Sequence, residues 1–103
     1  MILTVTFNPA VDHTLRIADK PASGRVHRAT AGGQFDAGGK GINVSQYLSA
    51  LGSDTVATGL LGGFTGEYIR SVLSEEPFET IFVNLPSPTR INTTVHAADG
   101  EYK

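Results

Sequence analysis

Apolar positions along the chain change period several times, and each change predicts an element. Ile2 to Phe7 is a β-branched and apolar run that stops at Asn8-Pro9, which predicts a buried strand ended by a turn. His13 to Ala18 alternates, with Leu15 and Ile17 on one face and Thr14 and Arg16 on the other, as in a strand wet on one side. Pro21-Ala22-Ser23-Gly24 marks a turn, and Arg25 to Ala31 is expected to return as a second strand with Val26 as its best apolar residue. Val44, Tyr47, Leu48 and Leu51 then fall at the spacing of an amphipathic helix, stopped by Gly52. Thr55 to Leu61 predicts another buried strand, ended by Gly62-Gly63. Thr65 is expected to cap a helix carrying Ile69, Val72 and Leu73 that stops before Pro77, and Phe78 to Val83 is a third such strand. Strands alternating with helices imply an α/β fold, a parallel sheet flanked by helices. Pro86-Ser87-Pro88 is a short connector.

The last alternating run is Thr89 to Ala97. Ile91, Thr93, Val95 and Ala97 share one face, and Arg90, Asn92, Thr94 and His96 share the other. It leads into Asp99-Gly100, a strong hairpin signal, after which only Glu101, Tyr102 and Lys103 remain. The expectation is that the natural chain continues past Lys103, and that the segment alone is poorly stable or associates through open sheet edges.

At 103 residues with 40% hydrophobic content, one small compact unit is expected rather than two domains. A net charge of −2 without any Lys/Arg run argues against non-specific nucleic-acid binding. The absence of cysteine excludes disulfides and thiol–metal sites and fits a reducing, cytoplasmic setting. The apolar start is too short for a signal peptide, and no stretch approaches the roughly 20 apolar residues of a membrane span.

Candidate chemistry centres on Asp36-Ala37-Gly38-Gly39-Lys40-Gly41-Ile42-Asn43-Val44, a glycine-rich loop expected to run into the first helix. Residues without Cβ let a ligand reach backbone N–H groups, and a helix N-terminus beside a lysine favours phosphate. The equally simple alternative is a glycine turn that packs a helix close to a strand. Gln34 and Gly41 break the Walker A pattern, and Val44 breaks the dinucleotide fingerprint. Asp12 lies beyond the first strand, where α/β folds bind ligands, although an Asp beside Asn-Pro is often a plain turn residue.

Read together, Asn8-Pro9-Ala10-Val11-Asp12, the glycine motif and Thr89-Arg90-Ile91-Asn92 resemble the pfkB (ribokinase-like) family of sugar kinases, especially its 1-phosphofructokinase and tagatose-6-phosphate kinase branch. The resemblance implies the N-terminal part of a ribokinase-like fold: a core over 1–11 and 37–88, and a small β-lid over 12–36 and 89–103 that also joins two subunits. It implies that Asp12 holds sugar hydroxyls and that Arg90 binds a phosphate already on the substrate. Gly38, Gly39, Lys40, Asn43 and Asn92 would complete the substrate site, and Arg25 and His27 would be polar lid residues. The implied reaction is ATP- and Mg2+-dependent phosphorylation of a hexose phosphate: fructose 1-phosphate, or tagatose or fructose 6-phosphate.

The family's catalytic base, second anion hole and nucleotide pocket have no counterpart in the sequence, so no catalytic residue is assigned. Asp19, Asp54, Glu67, Glu75, Glu76, Glu79, Asp99 and Glu101 lack that context. His13, His27 and His96 have no metal-ligand spacing. Two other readings stand beside this one: a stand-alone phosphosugar-binding module, and a ribose or nucleoside kinase of the same superfamily, which would make no special use of Arg90.

Overall fold

The computed structural model describes residues 1–30 and 32–103. In chain order the elements are β1 (Ile2–Thr6), β2 (Ala10–Arg16), β3 (Gln34–Gly38), α1 (Lys40–Ala50), β4 (Thr55–Gly62), α2 (Gly63–Leu73), β5 (Glu79–Leu85), β6 (Arg90–Ala97) and β7 (Gly100–Tyr102). They build two sheets. One is parallel, in the order β1-β4-β5; the other is mixed, in the order β3-β2-β6-β7, with β2 and β6 parallel and the outer pairs antiparallel. The α/β class therefore holds, with a second small sheet beside the core.

Strand alternation and pairing register put Thr4, Thr6, Ala57 and Leu61 on one face of the parallel sheet, and both helices lie there. The opposite face carries Leu3, Val5, Ile81 and Val83, all exposed. The helices thus flank one side of the sheet, not both. The core consists of Ile42 from α1, Leu61 from β4, Ile69 and Leu73 from α2, and Val11 and Ala37 from the bases of β2 and β3. The second sheet is rooted in the same core as the first. No described helix is long and apolar enough to cross a membrane.

Several expectations are corrected. Helix α1 starts at Lys40 and turns Ile42 and Ser45 inward; Val44 is half exposed, and Tyr47 and Leu51 face solvent. The apolar spacing marked the wrong face because Ser45 is buried as a polar hub. Its hydroxyl bonds Thr4 Oγ1 at 2.6 Å and Thr55 Oγ1 at 3.0 Å, and Thr55 Oγ1 donates to the Ile2 carbonyl. A buried hydroxyl with partners costs little.

The strand returning beside β2 is Gln34–Gly38. Arg25–Thr30 form no strand, and Ala31 lies outside the described residues. Gln34 to Gly38 alternates polar and apolar, with Ala37 buried and the Phe35 ring stacked on His13 at 4.2 Å. Asp36 and Gly38 accordingly belong to β3 rather than to a loop. Strand β2 begins at Ala10, so Asp12 is a strand residue. Helix α2 is capped at Gly62, and Thr65 lies inside it, donating to the Thr89 carbonyl.

These two readings of α1 separate by mutation. Ile42→Ala should cost about 2–5 kcal/mol, whereas Leu51→Ala should stay within about 0.5 kcal/mol, both measured by urea unfolding. Equal costs would contradict the helix face described here.

Candidate functional site

The carboxyl end of β1 and the N-terminus of α1 meet because Gly39, Gly41 and Thr6 leave no spare space between them. Gly39 is the N-cap of α1 at φ 140°, a backbone state that side chains rarely adopt. A Cβ there would lie 2.6 Å from Thr6 Cγ2, and a Cβ on Gly41 would lie 2.8 Å from the Val5 carbonyl. These glycines therefore serve helix-on-strand packing, the second of the two readings of the motif, and the same packing brings the α1 N-terminus to a cavity. Among the described residues the amides of Lys40 and Gly41 have no protein acceptor. They are the free N–H groups and the positive dipole end expected at a helix start.

The other wall comes from the second sheet. Parallel pairing sets Asp12 opposite Asn92 and Ala10 opposite Arg90. Asn92 Nδ2 donates to Asp12 Oδ1 at 3.3 Å; Arg90 Nη1 donates to Asn92 Oδ1 at 3.1 Å, and Arg90 Nη2 to the Asn8 carbonyl at 3.0 Å. Two of the five guanidinium N–H groups are used in this way, and three stay available. The start of β6 is anchored as well: the Thr89 amide donates to the Gly62 carbonyl at 2.9 Å, and the Gly62 amide to Thr89 Oγ1 at 3.0 Å.

Between these walls lies a cavity of about 410 Å3. That is within the usual range for small-ligand sites. Asp12, Gly39, Lys40, Asn43, Arg90 and Asn92 line it, together with Val5, Thr6, Phe7, Asn8 and Gly41. Among the lining residues Lys40 and Arg90 are cationic and Asp12 alone is anionic. A chain of net negative charge thus offers a locally positive cavity, with one carboxylate that can accept two hydroxyl donors. An anion carrying hydroxyl groups matches this donor set.

The expected site residues separate into three groups. Six line the cavity directly. Gly38 does not, but a side chain there would collide with the Asp12 carboxylate, so it makes room for that group. Arg25 is exposed in the segment after β2, away from the cavity, and His27 Nε2 accepts the Ala22 amide there. Asn8 and Thr6 were missed as site residues, although Asn8-Pro9 at the end of a strand marks where such folds place ligands.

Comparison with known proteins covers nearly the whole chain. The family description "pfkB family carbohydrate kinase" matches residues 5–103. A 1-phosphofructokinase of Haloferax volcanii is 53% identical over the whole chain and one of Bacillus subtilis is 42% identical over 96% of it; the chain covers 33% and 32% of their lengths. The crystal structure of Escherichia coli phosphofructokinase-2 in complex with fructose 6-phosphate superposes with a TM-score of 0.86 at 33% identity, covering 98% of this chain and 33% of that one. The chain spans about a third of the length of the relatives it matches.

Gly41→Ala tests the packing that forms the site. In an open helix the change gains about 0.5–1 kcal/mol, but here the new methyl meets Val5 and Thr6, and a net loss of about 1–3 kcal/mol is expected in thermal or urea unfolding. A stabilised Gly41→Ala chain would show that α1 does not approach β1 this closely.

Proposed function

Because the chain belongs to the pfkB family of carbohydrate kinases, we propose that it forms the acceptor-binding part of an ATP-dependent hexose-phosphate kinase of the 1-phosphofructokinase type. The acceptor is fructose 1-phosphate, or tagatose or fructose 6-phosphate, and the product is the bisphosphate. The observation that carries this reading is Arg90 held beside Asp12 and Asn92 in a cavity that also receives Lys40 and two free helix amides. Arg90 takes the phosphate already on the sugar, through the planar paired donors suited to it. Asp12 orients the sugar by accepting hydroxyl hydrogen bonds, steadied by Asn92. Lys40 and the two free amides at the start of α1 add positive potential to the same cavity and favour the same anionic substrate, and Asn43 adds a polar contact. A ribose or nucleoside acceptor would leave the three remaining Arg90 N–H groups without an anion to bind, which favours the phosphorylated substrate.

The family implies ATP and Mg2+ for a complete enzyme. Among the described residues no three His, Cys, Asp or Glu side chains gather as a cation site, and the cavity's only carboxylate already accepts from Asn92. This donor set does not fit Mg2+, so nucleotide, metal and general base are assigned to the remainder of the proposed enzyme. The exposed apolar face of the parallel sheet supports membership of a larger body, since parallel sheets are normally covered on both faces. We place that enzyme in the cytoplasm, as a homodimer joined through the second sheet. Arg25 would then act from the lid rather than from the cavity wall.

The test is a protein of the relatives' length carrying this segment, assayed with ATP against phosphorylated and free sugars. Turnover of a hexose phosphate in preference to the free sugar is expected, with no transfer by the 103 residues alone; preference for free sugars would refute the reading. Arg90→Ala should raise KM for the sugar phosphate roughly 10- to 150-fold, from a charge-assisted contact of about 1.5–3 kcal/mol, with KM for ATP unchanged. Asp12→Asn should lower kcat/KM with the fold intact by circular dichroism. An unchanged rate would make Asp12 an ordinary strand residue.

A further inference from the structure

We propose that Thr6 is a positioning residue of this site: its buried hydroxyl caps α1 from the neighbouring strand and thereby sets where the Lys40 and Gly41 amides stand. The proposal rests on reading the cavity as an acceptor-phosphate site. A helix is ordinarily capped by a side chain at its own N-cap, which accepts the N2 or N3 amide. The N-cap of α1 is Gly39, which has no side chain to offer. The N3 amide, that of Ile42, donates instead to Thr6 Oγ1 at 3.0 Å, across a sequence separation of 36 residues.

Three contacts tie the turn to this one residue. The Thr6 methyl fills the space a Cβ on Gly39 would need, the Thr6 hydroxyl fills the space beside Gly41, and the hydroxyl accepts from Ile42. Thr6 is 6% exposed, so without its hydroxyl the Ile42 amide would be left buried and unpaired. The turn would relax to find a partner, and the amides of Lys40 and Gly41, which have none of their own in the protein, would turn with it. Their alignment toward one point is what makes a helix start bind an anion. A loss of alignment should therefore weaken binding even where the fold survives.

The chain supplies its own comparison. Thr4 lies two residues earlier on the same face of β1, is 7% exposed, and bonds Ser45 in the same helix at 2.6 Å, but it does not line the cavity. Thr4→Val removes a buried hydroxyl from the strand–helix contact without touching the turn.

The experiment takes a protein of the relatives' length carrying this segment and compares the unaltered form with Thr6→Val, Thr6→Ser and Thr4→Val. Amide hydrogen exchange is followed at Ile42, and binding of inorganic phosphate and fructose 1-phosphate is measured by titration calorimetry. In Thr6→Val, Ile42 exchange should accelerate and affinity fall roughly 5- to 150-fold. Thr6→Ser, which keeps the hydroxyl, should retain both, and Thr4→Val should be less stable yet bind normally. Unchanged affinity in Thr6→Val, an equal loss in Thr4→Val, or a loss in Thr6→Ser as large as in Thr6→Val would overturn the assignment. If the unaltered protein of the relatives' length bound neither ligand, the proposed function would fall. Ile42 exchange in the two Thr6 variants would still decide whether the hydroxyl holds the turn.

Discussion

Helix α1 begins against the last residues of β1 at a distance that only glycine permits, and the site follows from that contact. Gly39 turns the chain through φ 140°, Gly41 clears the Val5 carbonyl, and Thr6 takes the amide that no local side chain can take. The cost is conformational: glycine loses more freedom on folding than any other residue. The return is a helix start whose free amides open onto a cavity at the carboxyl end of a parallel strand, where α/β sheets bind ligands. Further along the same contact, the Thr4–Ser45–Thr55 hydroxyl chain holds α1 to β1 and β4. Polar bonding sets this interface as much as hydrophobic packing does.

The second sheet is the other half of the device. Its base shares the core through Val11 and Ala37, and β6 is fastened at Thr89 by paired hydrogen bonds to Gly62. Arg90 comes immediately after that anchor and is restrained further by Asn92 and Asn8. A long, rotamer-rich side chain is thereby partly ordered before any ligand arrives, which lowers the entropy that binding must offset. Elsewhere the sheet is more open: Phe35 is half exposed, and so is Ile91, although it pairs with the buried Val11.

Much of this could be read from the sequence where the environment is simple. The alternation of Thr89 to Ala97 put Arg90 and Asn92 together correctly because a strand's period of two holds whatever the burial, which here runs from exposed at Arg90–Thr93 to half-buried at Thr94–Ala97. The face of α1 could not be read this way, since Ser45 is buried among hydroxyl partners supplied by distant strands while Tyr47 and Leu51 face outward. Strand β3 was hidden because its last residue, Gly38, opens the glycine motif and drew the whole stretch into a loop. Asp12 and Asn92 become neighbours through a parallel pairing of β2 with β6, which no local period encodes. Thr6 carried no signal at all; its role exists only once β1 and α1 are packed.

The central claim is that one cavity holds a sugar phosphate with its phosphate at Arg90 and its hydroxyls at Asp12. A crystal structure of a protein of the relatives' length carrying this chain, with fructose 1-phosphate, tests it most directly. The account predicts phosphate oxygens within hydrogen-bond distance of the Arg90 guanidinium and sugar hydroxyls on the Asp12 carboxylate, beside the start of α1. A sugar phosphate bound outside this cavity, or bound in it with Arg90 still facing only Asn8 and Asn92, would contradict it.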